Sequence, residues 1–190
     1  MISSMHPVTG LLLWLPTLAP LGAGEILEQR VWTEGDRYLV HLEAHLAAPA
    51  ARIRERLTDY AHLHHLSPTI TESRLIAADP PVFTVQVLSE GCVAFFCRQI
   101  RQLQQVTDRD DGFIVVEDVP GQSDFRKARA VWRIQSLGQH KTRLLYRAEF
   151  LPDFWIPPFI GPALFRLSLK RETRHLFDSL ERLASDTVEP

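Results

Sequence analysis

Six consecutive strand-like segments separated only by short turn signals, followed by a single long amphipathic helix, constrain this chain more than any other feature. The segments are 69–77, 82–88, 92–104, 113–119, 125–135 and 142–150. Asp79-Pro80-Pro81, Ser89-Glu90-Gly91, Asp108 to Gly112, Pro120-Gly121, Gly138 and Pro152 punctuate them. Links this short suit hairpins and leave no room for the crossover helices that a parallel sheet requires. An antiparallel meander is therefore expected. A further strand precedes it at 37–46, where Tyr38, Val40, Leu42, Ala44 and Leu46 alternate with Arg37, His41, Glu43 and His45. Pro49 then opens a helical stretch over 50–58, and a second short helix at 60–66 ends before Ser67-Pro68.

The helix expected at 163–184 carries Phe165, Leu169, Leu176, Leu180 and Leu183 along one line. Glu172 and Thr173 stand where that line should continue. No linker or internal repeat divides the chain, and 190 residues suit one domain with a sizeable core. A net charge of −2 does not suggest a dedicated nucleic-acid binder. No Cys/His spacing matches a zinc module.

The expected boundaries are a leader at 1–24, a flexible lead-in at 25–35, the domain at 36–185 and a tail at 186–190. Residues 1–24 hold no Asp, Glu, Lys or Arg, and the run Leu11 to Leu15 is closed by Pro16, Pro20 and Gly22-Ala23-Gly24. That pattern reads as a secretory signal peptide cleaved around Ala23 or Gly24, although no basic residue precedes the apolar run. The expected location is periplasmic or secreted, with the cytoplasm as the alternative. Cys92 and Cys97, placed on one continuous strand, would face opposite sides roughly 16 Å apart and would not form a disulfide.

Tyr60-Ala-His-Leu-His-His-Leu-Ser-Pro68, the Trp132 strand after a Gly-containing turn, and Pro152-Asp-Phe-Trp-Ile-Pro-Pro-Phe-Ile-Gly-Pro162 entering the last helix carry a resemblance. In this order of elements the chain resembles the START-like (SRPBCC) superfamily of polyketide cyclase/dehydrase and lipid transport proteins, nearest its coenzyme Q-binding branch. The resemblance covers about residues 36–185. It implies an α+β helix-grip fold: a curved, seven-stranded antiparallel sheet around the long C-terminal helix, two short helices after the first strand, and a hydrophobic cavity inside. It also implies binding or transport of a lipid, quinone, sterol or polyketide-like molecule. The alternatives are a cyclase/dehydratase-type enzyme acting on such a ligand, or a protein-interaction module.

The residues themselves point to the same interior. Ala128, Ala130, Trp132 and Ile134 on one strand and Leu144, Tyr146, Ala148 and Phe150 on the next form an inward set whose alanines leave space. Of these, Ala128, Ala130, Trp132, Tyr146 and Ala148 are candidate lining residues, together with Phe165, Leu169, Glu172, Thr173 and Leu176 of the helix. Arg98, Glu117, Asp118 and Arg126 fall in or beside apolar faces, and Arg98, Glu117 and Arg126 join the candidates. Glu172 or Thr173 would sit at a polar end near Arg98 or Arg126 and anchor a head group. The alternative is a rotated helix that carries Glu172 to solvent.

No catalytic triad order, phosphate loop or His-Glu-x-x-His is present, so neither a catalytic residue nor a cofactor is assigned. His41, Glu43 and His45 share a polar strand face, and His64 and His65 point about 100° apart on a helix. Both groups read as solvated surface rather than metal ligands. Lys127, Arg129, Arg133, Arg143 and Arg147 form an outer basic stripe. It offers a transient contact with an anionic membrane surface or with RNA, but Glu149 interrupts it and solvation alone accounts for it. The expected partner is a hydrophobic small molecule or lipid, with no nucleic acid.

Overall fold

The alternation at 37–46 becomes a strand whose Tyr38, Val40, Leu42, Ala44 and Leu46 are all buried, with half-buried residues between them. The computed structural model describes residues 24–93, 96–156, 159 and 161–185. The leader and the tail expected at the termini lie almost wholly outside these. In chain order the elements are β1 (Glu25–Glu34), β2 (Arg37–Leu46), α1 (Ala50–Leu57), a 3-10 turn (Leu63–His65), β3 (Ile70–Asp79), β4 (Val82–Val93), β5 (Phe96–Asp108), β6 (Phe113–Asp118), β7 (Phe125–Gly138), β8 (Lys141–Pro152) and α2 (Gly161–Ser185). One antiparallel sheet has the order β1-β2-β8-β7-β6-β5-β4-β3. The meander from β3 to β8 returns to β2 with Tyr38 opposite Phe150 and Leu46 opposite Thr142. The segment containing α1 and the 3-10 turn carries the chain from β2 to the far edge.

Two expectations are corrected. The sheet has eight strands rather than seven, because residues 25–34 form an edge strand on β2 instead of a flexible lead-in. A register shift between Ile26 and Glu28 breaks the two-residue period that would have revealed it. None of its ten residues is buried, so backbone pairing rather than an apolar face holds it.

The second correction concerns the cysteines. Residues 92–104 do not form one strand: β4 and β5 pair as far as Val93 opposite Phe96. Cys92 and Cys97 are therefore direct cross-strand partners and form a disulfide, with their Cα atoms 3.9 Å apart. Opposed residues of an antiparallel pair point to the same side of the sheet. A five-residue separation thus no longer implies opposite faces. No Gly, Pro, Asn or Asp stands between Val93 and Phe96 to signal a reversal.

Helix α2 is divided by its neighbours. Its second half places Phe177, Leu180 and Ala184 in a packed core with Leu42, Ala44, Ile53 and Leu144. Helix α1 contributes Ile53 and Leu57 to that core, and its Arg56 Nε donates to the Leu183 carbonyl of α2 at 3.1 Å. Phe165 and Thr173 are the buried residues of the first half beyond Gly161, and the space beside them is not filled.

Candidate ligand-binding cavity

A cavity of about 320 Å³ lies between the concave face of the sheet and the first half of α2. Its floor is built by alternation. Ile100, Gln102, Gln104 and Val106 of β5, Ile114 and Val116 of β6, Ala130 and Trp132 of β7, and Tyr146 and Phe150 of β8 all line it. Register brings Trp132 opposite Tyr146, with ring centroids 4.1 Å apart, and Ala130 opposite Ala148. The small Ala130 side chain keeps open the space beside Trp132. The helix supplies Phe165, Leu169, Glu172, Thr173 and Leu176, and the α1–β3 connection supplies Tyr60, Leu66, Ser67 and Thr69.

Aromatic rings cluster at one side. Phe125 contacts Phe150 and Phe154 at 5.6 and 5.7 Å, and Phe165 contacts Tyr38 edge-on at 4.6 Å.

The polar break in α2 falls on the cavity wall. Ser67 Oγ donates to Glu172 Oε2 at 2.8 Å, and Thr69 Oγ1 donates to the same oxygen at 3.1 Å. Oε1 of Glu172 has no hydrogen-bond partner among the described residues. Thr173 satisfies its own hydroxyl by donating to the Leu169 carbonyl at 2.6 Å.

A second polar group stands on the inner face of the sheet. Asp118 lies opposite Gln104, and Gln102 Nε2 donates to both of its carboxylate oxygens at 3.1 and 3.2 Å. Burial pushes the Asp118 carboxyl up to about 6, although hydrogen bonding by Gln102, Ser123 and Gln104 opposes the shift. Tyr60 and Tyr146 are raised as well, chiefly by burial, Tyr60 to about 12. Both phenols therefore stay protonated near neutral pH.

Ala130, Trp132, Tyr146, Phe165, Leu169, Glu172, Thr173 and Leu176 thus meet at one cavity. Five other candidates do not reach its wall. Ala128 and Ala148 are buried but covered. Glu117 is exposed and bonded by Arg129 Nε at 2.9 Å. It lies one residue from the inward Asp118, so the sequence assignment on β6 had the wrong parity. Arg98 is exposed, 3.3 Å from Asp124 and stacked over Phe154. Arg126 is exposed, 3.8 Å from Asp153. Neither guanidinium approaches Glu172 as an anchor. Ser67, Thr69 and Gln102 were not expected at the site; they are polar residues in strand or loop context whose partners lie 16 to 105 positions away.

The outer basic stripe is internally paired over most of its length. Lys127 and Arg37 meet Glu149 at 3.3 and 3.2 Å, Arg143 meets Glu43 at 2.7 Å, and Arg147 Nε bonds His41. Arg133 stacks on Phe113.

One antiparallel sheet gripping one long helix over an apolar cavity is a helix-grip arrangement. Residues 38–185 match the family model of polyketide cyclase / dehydrase and lipid transport proteins, and the chain belongs to that family. No curated protein sequence matches it. Among solved structures it is similar to the Zhui aromatase/cyclase of Streptomyces sp. R1128, with 15% identity, 80% of this chain and 96% of that one covered, and a TM-score of 0.68. A START superfamily protein from Mycobacterium smegmatis gives 19% identity, 77% and 96% coverage, and a TM-score of 0.63. A STAR-related lipid transfer protein from Xanthomonas axonopodis gives 16%, 83% and 97%, and 0.56. At these identities the likeness is one of fold.

Proposed function

We propose that the chain binds a small hydrophobic molecule in the cavity and carries or presents it, rather than transforming it. Lipids, quinones, sterols and polyketide-like compounds fit this class. The observation that carries the reading is the unfilled space of about 320 Å³ inside an otherwise packed domain, walled largely by aliphatic and aromatic side chains. A cyclase or dehydratase would require at least two convergent ionisable groups poised near the working pH. Tyr60 and Tyr146 are shifted away from neutrality, and Asp118 stands behind Gln102 instead of on the cavity wall. An interaction module would have a collapsed interior. The exposed Trp155 and Phe159, at 68% and 97%, instead accompany an open one.

Protein purified from its native host and sprayed under native conditions should carry a stoichiometric, solvent-extractable hydrophobic compound. Ala130→Phe should leave the thermal transition in place and reduce uptake at least about tenfold, because its ring projects into the space the ligand occupies. Equal uptake by that variant would remove the cavity as the binding site.

We further infer export to an oxidising compartment. The charge-free segment 1–24 supports it, and so does the Cys92–Cys97 disulfide, since such bonds persist outside the reducing cytosol. Gly24 N donates to Glu181 Oε1 at 2.6 Å, and a side chain at position 24 would collide with that carboxylate. Cleavage before Gly24 would place a free ammonium against Glu181. Intact-mass measurement of the native protein should give an N-terminus at Gly24 or Glu25, and an intact Met1 would overturn export.

A further inference from the structure

We propose that the cavity selects a neutral lipophile whose polar group is a hydroxyl, and rejects the matching carboxylate or phosphate. The proposal rests on the cavity being the binding site and specifies what enters it. The described wall carries the carboxylate of Glu172 and no lysine, arginine or histidine, and Glu90, which borders it, is exposed on the face of β4 that carries Gln86 and Leu88. Arg98 and Arg126, the cations nearest in the sequence pattern, are held outside by Asp124 and Asp153. An anionic head group entering this space would lose its hydration without gaining a counter-charge, and it would face like charge as well.

The hydrogen-bonding polarity of the wall points the same way. Ser67 and Thr69 both engage Oε2 of Glu172, which leaves Oε1 as an acceptor. The two contacts also fix where the carboxylate sits, since both hydroxyls come from one short segment and lie 2.8 Å from each other. On the sheet, Asp118 holds the amide nitrogen of Gln102 through both carboxylate oxygens. The end of that amide with no partner is therefore its carbonyl oxygen, a second acceptor. Tyr146 adds a phenol that stays protonated and has no hydrogen-bond partner among the described residues. A hydroxyl can donate to either acceptor or accept from the phenol. A carboxylate or phosphate can do only the latter.

Three probes of one shape test this on the full chain: naphthalene, 2-naphthol and 2-naphthoate, near neutral pH, where the naphthol is neutral and the naphthoate ionised. Binding is read by calorimetry. Naphthol should bind at least about tenfold tighter than naphthoate. Glu172→Gln, which removes the charge and keeps the shape, should shrink that ratio to within about threefold, chiefly by admitting naphthoate. Naphthoate binding as tightly as naphthol to the wild type would overturn the selectivity while leaving the cavity as the site. An unchanged ratio in folded Glu172→Gln would overturn the part assigned to Glu172. Failure of all three probes, naphthalene included, would instead overturn the cavity reading itself.

Discussion

Replacing Phe177 by alanine is expected to lower the unfolding free energy by about 3–5 kcal/mol, a shift of roughly 10 °C in the thermal midpoint. Phe177 is 1% exposed and stacks on Trp132 with centroids 6.1 Å apart. It joins the helix to the sheet where the interior is fully packed, so truncation leaves a void that neighbouring side chains cannot fill. Leu176 is its sequence neighbour but faces the existing cavity. Leu176→Ala enlarges space already present, and its cost should be about 1–2 kcal/mol. Chemical denaturation of the two variants measures the contrast directly. Equal losses would mean that the cavity closes in solution and that both faces of α2 pack alike.

Asp118→Asn is expected to stabilise the protein at neutral pH and to flatten its stability profile below it. The carboxyl has an ordinary value of 3.8 and is raised to about 6 in the folded chain, chiefly by burial. Between those values the folded state binds more protons than the unfolded one, so this group's contribution falls as pH rises from about 4 to about 6. Above that window the buried charge costs about 1–3 kcal/mol, the upper limit corresponding to the full shift without solvent screening. Asparagine keeps an oxygen for Gln102 and carries no charge. The variant should therefore match wild type near pH 4 and exceed it at neutral pH, as read from urea midpoints across the range. Glu149 runs the other way: burial would raise its carboxyl, but hydrogen bonds from Arg37 and Lys127 hold it below the ordinary range. The wild-type-minus-variant difference cancels such contributions and isolates Asp118. A difference independent of pH would mean that Asp118 is solvated.

Local pattern carried the sequence a long way on this fold. The alternation from Tyr38 to Leu46, the turn residues between the strands and the helical line from Phe165 to Leu183 each concern side chains within a few positions of one another. They determine element type, order and the inward face of most strands. The interruption at Glu172 and Thr173 was legible for the same reason, because a polar pair in an apolar helical stripe has either a cavity or solvent in front of it. Other features depended on partners distant in the chain. Nothing near residues 25–34 shows that β2 has a free edge for them to join, and the shift at Ile26 blurs their period. Cys92 and Cys97 bond because the chain reverses between them, a choice made by pairing along the whole β4–β5 hairpin. Glu117 and Asp118 are both acidic and adjacent, and only the register against β5 and β7 decides that Asp118 faces in and Glu117 faces out. The sign of the cavity follows from the same cause. Composition supplies arginine and glutamate alike, but it is the tertiary packing of Ser67, Thr69 and α2 that brings Glu172 inside while Arg98 and Arg126 stay with Asp124 and Asp153.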